Sequence, residues 1–158
     1  MLVDSKQKEL QPQEIILEAT TQTKSEYTPD QVLAAVMVEV REPGVVLMQE
    51  GNTLYISHKC KDRVAYARAL NADTAQNYVE NSIVYAKAMY AAGYDTLVVD
   101  FNDKTILSLF DAIVSNKNRQ RINPDKDGKP TVSYTVKNLS TGYRITCDIG
   151  PKRAGQLK

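Results

Sequence analysis

Residues Asp73 to Lys117 read DTAQNYVENSIVYAKAMYAAGYDTLVVDFNDKTILSLFDAIVSNK, a helix, a strand and a second helix in close succession. Asp73-Thr-Ala-Gln76 has the form of a capping box, where a side-chain oxygen accepts a backbone N–H and Gln returns the bond. Val79, Ile83, Ala86 and Tyr90 recur at helical spacing and define one buried stripe. Gly93 suits the position just past a helix end. Asp95 to Phe101 then predicts a strand whose buried centre is Leu97-Val98-Val99. Asn102 or Asp103 can cap a helix from Lys104 to about Lys117, with Ile106, Leu109, Phe110 and Ile113 on its apolar face.

Upstream, Thr28-Pro29-Asp30-Gln31 combines a capping Thr, Pro at the first helical position and Gln at the third, and predicts a helix that Pro43-Gly44 ends. Its many Val residues make a strand the rival reading. Glu14 to Glu18 fits a short strand or one helical turn. Val45 to His58 predicts a β-hairpin turning at Glu50-Gly51-Asn52, where Gly supplies positive φ. Asp62 is a cap for a helix beginning at Arg63, with a break near Asn71 to Asp73. Downstream, Asn118 to Pro130 is a polar loop. Thr131 to Lys137 and Tyr143 to Ile149 alternate apolar and polar residues as paired strands, with Val132, Tyr134 and Val136 facing one way on the first and Tyr143, Ile145, Cys147 and Ile149 on the second.

These elements predict an α+β fold: a mixed or antiparallel sheet of about five strands with three or four helices packed on it. The expected organisation is a flexible polar tail over 1–13, a single domain over 14–150 and a basic tail over 151–158. At 158 residues, with 42% hydrophobic and 25% charged side chains, the chain can build a core without disulfides or metals. Met1 to Pro12 is polar and has no signal-peptide core, and the apolar run Val32 to Val38 is too short to span a bilayer. The expected location is therefore the cytoplasm or an assembled virion, with no membrane partner.

The net charge of +1 hides an asymmetry. Residues 1–60 carry five basic and nine acidic side chains, whereas residues 61–158 carry fifteen and ten. Such a split favours an acidic partner at one end, or head-to-tail contact between copies. Cys60 and Cys147 form no CxxC pair and have one His to join them, too few ligands for a Cys/His zinc site. Two reduced, buried thiols are expected, a single disulfide being the alternative.

Four constellations are candidates for function. Lys117, Arg119, Arg121, Lys126, Lys129, Arg144, Lys152 and Arg153 concentrate cations late in the chain, beside Tyr134 and Tyr143. That combination suits single-stranded nucleic acid or an acidic partner. Tyr78 and Tyr85 lie seven apart on one helical face and could form a protein interface. Asp100 and Asp103, at a strand's carboxyl end, could hold Mg²⁺ in a small metal-dependent enzyme. His58 and Cys60 could form a nucleophile pair only if both point the same way.

No GxSxG, HExxH, phosphate-loop or dinucleotide motif occurs, so catalysis is the weaker expectation and no cofactor is expected. The leading expectation is a non-enzymatic interaction or assembly protein that binds a protein partner or its own copies. A short domain with charged arms is common among bacteriophage and mobile-element proteins, which makes a virion component or accessory protein the expected setting. Nucleic-acid binding by the basic C-terminal third is the alternative.

Overall fold

The computed structural model describes residues 9–22 and 26–153. Within them lie four α-helices and six strands: α1 (Pro12–Gln22), α2 (Pro29–Glu39), β1 (Val45–Glu50), β2 (Thr53–Lys61), β3 (Val64–Asn71), α3 (Ala75–Ala91), β4 (Thr96–Phe101), α4 (Thr105–Ile113), β5 (Ser133–Leu139) and β6 (Gly142–Asp148). The strands make one mixed sheet in the order β1-β2-β3-β4-β6-β5. All neighbours are antiparallel except β3 and β4, which run parallel with α3 as the crossover. The fold is α+β, as its sequence predicts, with one strand more than expected.

The extra strand is β3, where a helix from Arg63 was expected. Arg63 instead has φ 67° in the tight turn between β2 and β3, and Asp62 sits in that turn. Ala65, Ala67, Ala69 and Leu70 would favour a helix in isolation. Tertiary pairing overrides that preference: β3 is hydrogen-bonded to β2 along its whole length. The first helix fits the helical of its two expected readings but runs longer than one turn. Glu14 to Glu18 belongs to α1, which begins at Pro12. The Leu10 N–H donates to Asn52 Oδ1 at 2.8 Å, and the Leu10 carbonyl accepts from Gln49 at 2.9 Å. The chain is thus tied to the sheet from Leu10 onward, while residues 1–8 and 154–158 of the expected tails lie outside the described residues.

Helices cover both faces of the first half of the sheet. Leu54 and Ile56 of β2 pack with Ile15 and Ile16 of α1 and Val36 of α2. Tyr55, one residue out of phase, points to the opposite face and packs with Val79, Ile83 and Tyr85 of α3. That second core continues across Leu97, Ile145, Cys147 and Ile149, so the C-terminal hairpin shares an interior with α3 and β4. The capping box of α2 is present, with Thr28 accepting from Gln31 N–H and Gln31 returning to Thr28 N–H. Gly93 ends α3 at φ 111°, close to its expected place.

A polar network pins the start of α3 to the β1–β2 turn. Asp73 Oδ2 accepts from the Asn52 N–H and from Asn81 Nδ2, both at 2.9 Å, and Oδ1 accepts from Asn77 at 3.1 Å. Burial opposes ionisation of Asp73, but these donated bonds outweigh it and hold its pKa below the usual value. Thr74, the next residue, provides the helix cap by accepting from Asn77 N–H.

Candidate functional site

Three of the eight late cations, Arg121, Arg144 and Lys152, have acidic partners. Arg121 makes a two-pronged bond to Glu80, at 2.9 and 2.7 Å, which draws the Glu80 carboxyl below its ordinary pKa. Arg144 does the same to Asp100 at 2.7 and 2.9 Å and lies over the Tyr66 ring, 5.4 Å from its centroid. Lys152 contacts Asp148 at 2.9 Å. Arg153 stacks on Tyr90 and donates to its carbonyl. Lys126 and Lys129 stand on an exposed turn, while Lys117 and Arg119 follow α4. The eight residues are therefore not gathered into one basic surface: Arg144 belongs to the sheet, Arg121 to the flank of α3, and Arg153 to the end of α3.

Asp100 and Asp103 likewise have structural partners. Both Asp100 oxygens meet Arg144, whose hydrogen bond lowers the Asp100 pKa. Asp103 Oδ1 accepts from Thr105 N–H at the start of α4, which lowers its pKa too. No cluster of three or more metal-ligating side chains occurs among the described residues. The β2–β3 ladder shifts register between Lys59 and Lys61 and leaves Cys60 without a pairing partner, so regular alternation does not carry through from His58, which hydrogen-bonds to Glu39 of α2. Glu39 also accepts from Arg68 at 2.8 Å. Burial works against the Glu39 charge, yet its hydrogen bonds with Arg68 and His58 keep its pKa low. Cys60 is exposed, contrary to the expected buried thiol, because β2 outruns the helices that cover it; Cys147 is buried as expected.

Tyr85 is buried in the core and Tyr78 is half-buried against it. They turn inward from α3 onto β2, and Tyr85 is only 4% exposed. The Tyr55 ring stacks on Tyr85 with centroids 4.1 Å apart and planes 6° from parallel, and Tyr78 lies near-parallel to it at 6.5 Å. Tyr55 Oη and Ser82 Oγ are 2.7 Å apart, and the Tyr85 and Ser57 hydroxyls also hydrogen-bond. Burial pushes the Tyr55 and Tyr78 phenols up and that of Tyr85 up to about 12, so all three stay neutral.

Beside this stack lies a cavity of about 170 Å³ between the sheet and helices α3 and α4. Its location follows from the sheet. β3 and β4 pair only at Val64–Thr96, Ala65–Leu97 and Tyr66–Val98. Beyond those positions β3 stays with β2 and β4 stays with β6, so the two strands part at their carboxyl ends. Ala67 and Ala69 floor the cavity on one side of the parting, Val99 and Phe101 on the other. Small Ala side chains leave the volume that larger residues would fill. Arg68 and Asp100 reach the same cavity from the parting itself and form its rim.

The outer edges of the sheet are a second feature. Among the described residues, β1 and β5 each pair on one side only. Val46 and Leu47 on β1 are 49% and 41% exposed, and Val136 on β5 is 42% exposed. The sequence marked these residues as strand but gave no sign that they would end a sheet. No helix in the described residues is long and apolar enough to cross a membrane. No protein-family model, curated protein or solved structure matches this chain.

Proposed function

We infer that this protein works by association rather than catalysis, joining copies of itself through the two open edges of its sheet. The observation that carries this reading is the pair of unpaired edge strands, each with apolar residues in water. An open edge presents a row of free N–H and C=O groups, a template for another strand. β1 and β5 run in the same direction, because each intervening reversal is matched by another. Translation of one copy would therefore set its β5 beside the β1 of the next, a head-to-tail contact that can repeat. Charge favours the same order: Glu42 precedes β1 and Glu50 ends it, while Lys137 lies on β5 and Lys129 precedes it. The bacteriophage setting expected from the charged arms suits such a role and rests on that pattern alone.

Light scattering over a range of concentrations tests the reading. Mass should rise with concentration beyond a dimer, and both V46K and V136K should cap it, since Lys on an edge strand blocks pairing. A strict monomer at all concentrations refutes association between copies. A dimer sensitive to one variant only would refute the head-to-tail form and point to a two-fold contact. Nucleic-acid binding, the alternative, would instead appear as a gel shift that fades with salt and weakens on changing Arg119 and Arg121 to Ala.

A further inference from the structure

We propose that the cavity where β3 and β4 part is a binding site for a small, uncharged aromatic molecule of one or two fused rings. It lies toward the carboxyl ends of the sheet's parallel pair, the end at which ligands collect in open α/β sheets. β3 and β4 are the parallel pair of this sheet, and their parting opens a crevice between its antiparallel β1–β3 and β4–β6 halves.

The volume sets the size of the ligand. A dry apolar cavity of about 150 Å³ is known to accept benzene. At about 170 Å³ this one suits a ring of that size or slightly larger. The walls set its shape and polarity. The rings of Tyr55, Tyr85, Phe101 and Phe110 line the cavity and offer aromatic contacts to a flat guest. The hydroxyls of Tyr55, Ser82 and Tyr85 supply a few placed polar atoms in an otherwise apolar lining.

Charge is excluded by the same lining. The tyrosines are neutral, and burial raises the Cys147 thiol to about 12, so no wall group would balance an ionised guest. Cys147 is protonated there and acts as an apolar wall. The charged groups at the rim are already matched, Arg68 with Glu39 and Asp100 with Arg144.

The chain contains no Trp, so indole fluorescence can be read against tyrosine alone. Indole added to the full-length protein should show a saturable blue shift with one site per chain. Toluene should compete and benzoate should not. Ala86→Leu, which fills the cavity from α3, should weaken indole about tenfold or more. Ala67→Val fills it from β3 and serves as the second variant should the first fail to fold. Y85F should leave toluene unchanged and weaken phenol. Non-saturating uptake, equal competition by benzoate, or unchanged affinity in a folded cavity-filling variant would each overturn the proposal. Because the readout is ligand fluorescence on any oligomer, the outcome is independent of whether copies associate.

Discussion

Replacing Asp73 with Ala should remove the tie between α3 and the β1–β2 turn. Three donors reach its carboxylate: the Asn52 N–H, Asn81 and Asn77. Hydrogen bonds to a charged group contribute about 1.5–3 kcal/mol each when buried, and less where water can replace them. The Asn77 bond is exposed and regains water at little cost. The Asn52 and Asn81 bonds are half-buried and dominate. D73A should therefore cost about 2–4 kcal/mol, or roughly 4–15 °C in melting temperature for a chain of this size. The pH dependence follows from the lowered Asp73 pKa. A carboxylate whose folded pKa lies below its unfolded value of about 3.9 stabilises fully above that value and loses its contribution as pH falls through the folded pKa. The stability gap between wild type and D73N should hold steady from neutral pH to about 5 and close below about 4. Urea unfolding at a series of pH values reads both effects. A D73A cost under about 0.5 kcal/mol, or a D73N gap that widens in acid, would refute the reasoning.

Two further outcomes follow from burial. Ile145, fully enclosed between β4 and β5, should cost about 2–5 kcal/mol when changed to Ala, measured by thermal or urea unfolding. Of the two thiols, Cys60 should react with a thiol reagent in the native protein, and Cys147 only on unfolding; equal reactivity would contradict the burial of β6.

Where local chemistry alone selects a conformation, the sequence was readable. Thr28 with Gln31, Gly51 in the hairpin turn and Gly93 after α3 each act within four residues, and each sits where its chemistry predicts. β3 was not readable because its helical propensity was judged without its partners. The missed sign was a period of two: Ala65, Ala67 and Ala69 alternate with Tyr66, Arg68 and Leu70. Tyr78 and Tyr85 were placed correctly on one helix face, but spacing cannot say whether that face meets solvent or Tyr55. The cavity was illegible for a similar reason. It depends on how far β4 keeps company with β3, a long-range register that no segment encodes by itself. The pairing of Arg121 was illegible because its partner Glu80 lies forty-one residues away in the chain.

The brief union of β3 and β4 also bears on how the molecule breathes. Three residue pairs stitch together two blocks, one of β1–β3 with α1 and α2, the other of β4–β6 with α4, and α3 straddles both. A seam so short concentrates native-state opening in the middle of the sheet. Fluctuation there would widen or shut the passage to the interior while both hairpins stay intact, making the centre of this sheet its softest line.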